Sequence, residues 1–210
     1  MKITKNPTTC SDVAITTAAF GIVSFLQYIL RMWRLLKPNS PYLPIDSPHR
    51  WYLDFYQIQF TIGFTLISLV FTFASVNTSG QMLVRITSVA PCILLLQCGP
   101  QFLLSCIAYK RKWVNPFRIS SSLAGEQAVP ALFTIVEDVI GVDGRGGGKG
   151  GFRELWKKRY IQSYRFREML YKQTVFWGLG STMSGAATLA IVLTPTVNVY
   201  VAYGLGEFYQ

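Results

Sequence analysis

Charge is scarce in this sequence. Only 14% of its 210 residues are Asp, Glu, Lys or Arg, against about 25% in an average soluble domain. The deficit is local, because no charged residue occurs from Phe55 to Val84 or from Gln173 to Gly206. Uncharged runs that reach or exceed the ~20 residues needed to cross a hydrocarbon core argue against a soluble domain and for a membrane. Histidine is rarer still, with His49 alone. A two-haem membrane cytochrome with bis-histidine ligation needs about four, which excludes that class. The four cysteines, Cys10, Cys92, Cys98 and Cys106, contain no CxxC pair. They read as small apolar residues within helices, not as a disulfide framework or a zinc site. A nucleotide loop is missing too. GRGGGKGG at 144–151 places Gly150 after Lys149, where the phosphate-loop motif needs a hydroxyl to hold magnesium. It reads as a flexible hinge, and no cofactor or metal is expected.

What remains is a chain of apolar runs divided by basic segments. Val13 to Leu30 is followed by Arg31, Arg34 and Lys37 with no small-residue cleavage site, as expected of a retained first span and not of a signal peptide. Residues 37–50 hold four prolines and form a loop. His49 reads as an ordinary interfacial side chain there. Trp51, Tyr52, Phe55 and Tyr56 mark a headgroup-level entry into a second span, about 56–76, with Asp54 expected at the interface and not in the core. Asn77, Thr78 and Ser79 make a glycosylation sequon too close to both spans for use. The third span is expected at about 84–109, with Pro91 and Pro100 inside it and kinking it. Arg85 lies at its outer edge. Gln97, Gln101 and Ser105 recur every four residues and share one face, which serves either interhelical hydrogen bonds or a polar cavity. The fourth span is expected at about 174–193. Its small residues Gly180, Ser181, Ser184 and Gly185 form a face suited to close helix packing, within the bundle or against a membrane-protein partner. The whole uncharged run to Gly206 would be about 51 Å long as one helix, so Pro195 is expected to break it.

The organisation is therefore a membrane region at 1–109, a basic segment at 110–172, and a fourth span with a tail at 173–210. The fold class is all-α, a polytopic four-helix transmembrane bundle with interfacial amphipathic helices in the long cytosolic segment. With both termini on the non-cytosolic side, 17 of the 20 Lys and Arg residues face the cytosol and only Lys2, Lys5 and Arg85 lie outside, as the positive-inside bias requires.

The basic segment divides into three pieces. Asn115 to Gln127 is polar and irregular. Val129 to Val142 is a helix too short for a span, opened by Pro130 and suited to an interfacial or re-entrant position. It carries Glu137 and Asp138, with Asp143 just beyond. Carboxylates at membrane depth are costly and are either ion-paired or functional. Adjacent residues diverge by about 100° on a helix, so these two do not easily chelate one metal ion. Phe152 to Lys172 reads as one helix with aromatic residues near one side, Trp156 among them, and Lys157, Lys158, Arg159, Arg165 and Arg167 elsewhere. Such a helix lies in the interface and attracts anionic lipids. RNA binding would use the same residue types, but a span begins two residues later, which favours lipid.

The stretch PALFTIVEDVIGVDG, with the glycine-rich turn and FRELWKKRY after it, resembles a motif of small integral membrane proteins of filamentous fungi. The resemblance covers about residues 129–180. It implies a membrane location and a fungal source, and no chemistry. In that group the last apolar segment is expected to be longer than one ending at GLGEFYQ.

Two functions fit the residues. One is a scaffold or lipid-contacting component that works through the basic helix. The other is a transporter or membrane enzyme with a polar intramembrane site drawn from Arg85, Gln97, Gln101, Glu137 and Asp138. No nucleophile–base pair supports the second. In a background without native cysteines, Gly148→Cys is expected to react with an impermeant thiol reagent from the cytosolic side only. Labelling from outside would overturn the topology.

Overall fold

The computed structural model describes residues 7–38, 40–47, 52–77, 82, 85–86, 88–144 and 151–197, with the side chains of the first helix described from Ile22 onward. His49, Trp51, Thr78, Ser79, most of the glycine-rich hinge and the tail from Asn198 lie outside the described residues. Six helices of 11 or more residues occur among the described ones: α1 (Pro7–Leu36), α2 (Phe55–Asn77), α3 (Ala90–Lys110), α4 (Ala131–Val142), α5 (Phe152–Gln162) and α6 (Tyr164–Leu193). Extended structure among these residues is limited to two isolated bridges, Val114 with Gln127 and Ile119 with Ser122.

Three helices, α2, α3 and α6, are long and apolar enough to cross a membrane, the mark of an integral membrane protein. Their outward faces are apolar, with Leu69, Phe73, Leu104, Phe176 and Met183 all exposed. α1 is 30 residues long and contains the run from Val13 to Leu30. It meets α2 through the stacked rings of Tyr28 and Phe60 at 5.6 Å and a hydroxyl contact between Tyr28 and Thr61 at 3.1 Å.

The closest helix pair is α3 with α6. Small residues let the backbones approach. A Cβ on Gly99 would stand 2.5 Å from Thr182 Oγ1 and 2.7 Å from the Thr182 nitrogen, and one on Gly178 would stand 2.9 Å from Leu103. The buried face of α6 runs through Phe166, Leu170, Thr174, Gly178, Gly185, Thr188 and Val192. Of the small residues expected to form a face, Gly185 is therefore used inside the chain. Gly180 points away, and a Cβ there would meet nothing within 4 Å.

Two boundaries differ from the sequence reading. Pro91, expected inside the third span, sits in the first turn of α3, where its missing N–H is not needed. Only Pro100 lies inside that helix. The expected single helix from Phe152 to Lys172 is two helices, and its second half is the start of α6. Ser163 adopts an extended backbone and its hydroxyl accepts a hydrogen bond from the Phe166 N–H at 3.3 Å. Arg167 reaches back to donate to the last α5 carbonyls, Tyr160 at 2.9 Å and Ile161 at 2.7 Å. Ser163 is at once the C-cap of α5 and the N-cap of α6, and with the cationic donor Arg167 it stops one helix and starts the next.

Above one end of this bundle α4, α5 and the first turns of α6 enclose a small aromatic core of Phe133, Phe166 and Leu170, flanked by Trp156 and Tyr160. Phe133 and Tyr160 lie 4.5 Å apart, and Trp156 meets Phe166 edge-on at 4.9 Å. The first turn of α4 is fixed to α3, because the Ser105 hydroxyl accepts from the Ala131 N–H at 2.9 Å.

Gly99→Ala is expected to lower the unfolding free energy by about 1–3 kcal/mol, the usual cost of overpacking, because the obstacle is the Thr182 backbone. Gly180→Ala is expected to be neutral or slightly stabilising. Denaturant titrations of the two variants in detergent check both, and equal effects would contradict the packing described.

Candidate functional site

The site starts from two arginines that have lost their water. Arg31 on α1 and Arg153 on α5 are each 5% exposed. A buried guanidinium must regain its hydrogen bonds and a counter-charge from the protein, or it is strongly destabilising. Three fully buried carboxylates supply both: Asp54 just before α2, and Glu137 and Asp138 on α4. Arg153 Nη1 donates to Asp138 at 2.7 Å and to Glu137 at 3.1 Å, and its Nη2 lies 3.6 Å from Asp54. Arg31 Nη2 donates to Asp54 at 2.5 Å and to the Asp138 carbonyl at 3.1 Å, while its Nη1 pairs with Asp143. Asp143 also stands 4.0 Å from Arg34 at the rim, where its side chain is 43% exposed.

Local chemistry aims each carboxylate. Asp54 is the N-cap residue of α2, its Oδ1 accepting from the Gln57 N–H at 2.8 Å. Capping fixes the side chain at a helix start whose positive dipole end favours an anion. Asp138 accepts from the Ser120 hydroxyl at 2.6 Å and from the Tyr56 N–H at 3.2 Å. Ser120 in turn accepts from the Phe55 N–H at 2.9 Å. Gly141 lets Arg153 pass over α4, since a Cβ there would lie 2.8 Å from its Nε. The cluster thus joins α1, α2, α4, α5 and the 113–128 connection at one point. The proline-rich loop closes over it. Arg118 donates to the carbonyls of Ile45 and Asp46, the Ile45 N–H donates to Ser121 at 3.0 Å, and the Tyr42 carbonyl accepts from Arg153 at 3.3 Å.

Two buried guanidiniums face three buried carboxylates, so one negative charge is in excess if every group is ionised. Burial, then the neighbouring Asp138, pushes the Asp54 carboxyl up to about 7, against Arg31, its own cap bond and Arg153. Burial and Asp138 also raise Glu137, opposed by Arg153. Burial alone would lower Arg153, but Asp138 and Glu137 outweigh it and leave it raised and charged. Burial and the neighbouring negative charge thus favour the protonated form of Asp54 and Glu137.

The residues expected from sequence fall in separate places. Glu137 and Asp138 point inward, onto arginine. Gln97 and Gln101 do not join them. Their amides donate to Gln59 of α2, at 2.8 Å and 3.2 Å, and make a polar bridge between α2 and α3. Arg85 caps the far end of α6, donating to the carbonyls of Val192 at 2.8 Å, Thr194 at 2.6 Å and Val197 at 2.6 Å. Asp54, expected at the interface, is fully buried. Trp156, expected against lipid, turns inward and its indole N–H donates to the Phe133 carbonyl at 3.1 Å. Lys157 pairs with Glu126 at 3.2 Å, Arg159 lies over the Phe166 ring, and Lys158 and Arg165 are exposed. Sequence reasoning missed the roles of Arg31, Asp54, Arg153 and Gln59. Arg31 and Arg153 stand in basic runs where most neighbours are solvated, and periodicity gives no sign of which one turns inward.

Within the cluster, Glu137 and Asp138 meet at Arg153 Nη1, and Asp143 meets Arg31 instead. No group of three or more His, Cys, Asp or Glu residues is placed to hold a metal ion among the described residues. What it can do is hold elements together and hold a proton.

A carboxyl raised in the folded state makes folding proton-consuming between its ordinary value of 3.8 and about 7. Its contribution is present at low pH and is lost as pH rises through about 7. The melting temperature in detergent is therefore expected to be higher at mildly acidic pH than at pH 8. Asp54→Asn, which keeps the cap, is expected to shrink that difference. An unchanged pH dependence in the variant would contradict the assignment.

A family described as a domain of unknown function (DUF8766) matches residues 7–209. No curated protein and no solved structure matches the chain.

Proposed function

We propose that this chain, which belongs to the DUF8766 family, is a four-span membrane protein that acts as a scaffold in contact with anionic lipid. α1 supplies the span beyond α2, α3 and α6, both termini lie on the non-cytosolic side, and the charge cluster sits at the cytosolic face. The distribution of Lys and Arg supports that orientation, with 17 of 20 on the side of the cluster. A source among filamentous fungi belongs to the same reading. The stretch that carries that resemblance, PALFTIVEDVIGVDG, supplies three of the carboxylates around Arg31 and Arg153.

The observation that carries the lipid reading is the outer surface of α5 and the first turn of α6. Leu155, Ile161 and Tyr164 are more than 60% exposed there, beside exposed Lys158, Arg159 and Arg165. Large apolar side chains left in the open next to cations suit the headgroup boundary, where each has a partner phase. Trp113, Val114 and Phe117 add a second exposed apolar patch just after the basic end of α3. The lipid-facing set is then Leu155, Lys158, Arg159, Ile161, Tyr164 and Arg165, without Trp156. Association with a membrane-protein partner has a narrower surface than the small-residue face implied. Gly180 is open, with Ser181 and Ser184 half-buried beside it. A transporter or enzyme built on Gln97, Gln101, Glu137 and Asp138 has less support, because the amides and the carboxylates serve different contacts.

Lys158 and Arg165 are both exposed. Each basic residue at an anionic surface contributes about 1 kcal/mol. The double variant Lys158→Glu, Arg165→Glu is expected to retain at least about tenfold less anionic lipid through purification, measured by native mass spectrometry. Retention equal to the unaltered protein would remove the lipid reading.

A further inference from the structure

A cavity of about 410 Å³ opens between α1 and α2 beside the charge cluster, and its wall includes Gln27, Arg31, Arg34, Tyr56, Gln57 and Asp143. Its size is within the range of small-molecule sites. Gln57 is fully buried, yet neither its amide nitrogen nor its amide oxygen has a hydrogen-bond partner among the described residues. The Nε of Arg31 is likewise buried without one. Buried polar atoms left unpaired cost free energy that a native fold rarely tolerates without a reason. Two residues of one cavity wall carry three such atoms.

Asp143 indicates what fits. Its carboxylate lies between Arg31 and Arg34, so an oxyanion already has a seat there. Unlike Asp54, Glu137 and Asp138, which are fully buried, Asp143 is 43% exposed on its side chain. It is the one carboxylate of the group that an incoming anion can displace without opening the core. Guanidinium forks match phosphate oxygens in charge and spacing. The unpaired atoms complete the description. Arg31 Nε and Gln57 Nε2 need acceptors, and Gln57 Oε1 needs a donor such as a hydroxyl. Leu30, Tyr28 and Phe60 line the same cavity, and Leu30 and Phe60 continue onto the exposed apolar faces of α1 and α2.

We infer that this cleft binds a hydroxylated phosphate ester, whose phosphate replaces the Asp143 carboxylate at Arg31 and Arg34 and whose hydroxyl and ester oxygens pair with Gln57. The phosphate belongs either to a phospholipid headgroup, with its chains against α1 and α2, or to a free phosphate ester from solution. The inference rests on the membrane reading only for the first source, and not on the surface of α5.

The test uses the full-length protein in detergent with two probes, glycerol 3-phosphate and short-chain phosphatidylinositol, and phosphatidylcholine as control. At least one probe is expected to raise the melting temperature in a saturable way. A response to phosphatidylinositol alone assigns the headgroup source, and a response to glycerol 3-phosphate assigns the soluble one. Arg34→Gln and Gln57→Leu are each expected to weaken binding roughly tenfold. Gln57→Leu is also expected to raise the melting temperature of the unliganded protein, because it removes an unpaired buried amide. A Gln57 that served only packing would not give that opposition. No stabilisation by either probe, stabilisation equal to that by phosphatidylcholine, or unchanged affinity in both cleft variants would overturn the inference.

Discussion

A guanidinium taken out of water keeps its charge, and the fold around it has to supply what water did. Arg153 receives Glu137, Asp138, Asp54 and the Tyr42 carbonyl. Arg31 receives Asp54, Asp143 and the Asp138 carbonyl. Asp54 and Asp138 each serve both arginines, so the two ion pairs form one network. α1, α2, α4, α5 and the 113–128 connection each have a member in or bonded to it. The start of α2, the length of α4 and the placing of α5 on α4 follow from that shared requirement. Cutting one member exposes the rest to an uncompensated buried charge, which costs more than the intact pair contributes.

The network also sets how the bundle and its cap are joined. α3 and α6 pack through small residues at Gly99, Gly178 and Gly185, in the way expected where lipid leaves no hydrophobic drive between helices. α1 and α2 meet through aromatic stacking and one hydroxyl pair, which is weaker. The cluster ties that looser pair to α4 and α5, and those carry the aromatic core beside α6. The cleft between α1 and α2 therefore lies at the boundary between a tightly packed half and a charge-tied half. Of the four carboxylates around the arginines, Asp143 is the one left half in water there.

Much of this was legible in the residues. The uncharged runs give the span helices, and Pro130 and the short apolar run after it give α4. Paired carboxylates on an apolar face imply a buried counter-charge, and Glu137 and Asp138 have one. Three features were not legible. Arg31 and Arg153 lie in runs of like charge, and Arg153 packs over α4 only because Gly141 leaves space for it. Asp54 stands among interfacial aromatics, and its burial comes from helix capping plus the loop folded over it. The break at Ser163 rests on a single cap residue and on Arg167 reaching backwards, neither of which disturbs an otherwise helical pattern. The first two are tertiary contacts overriding a local tendency, and the third is a local cap.

The central claim is that Arg153 and its carboxylates are one coupled unit. A double-mutant cycle on Arg153 and Glu137 measures this directly, using reversible unfolding of the full-length protein in mixed micelles. Arg153→Met and Glu137→Leu alone are each predicted to lower stability by about 3–5 kcal/mol, as expected when one partner of a buried pair is lost. The double variant is predicted to lose less than the sum by about 1 kcal/mol or more. Additive losses, or single variants as stable as the unaltered protein, would contradict the account.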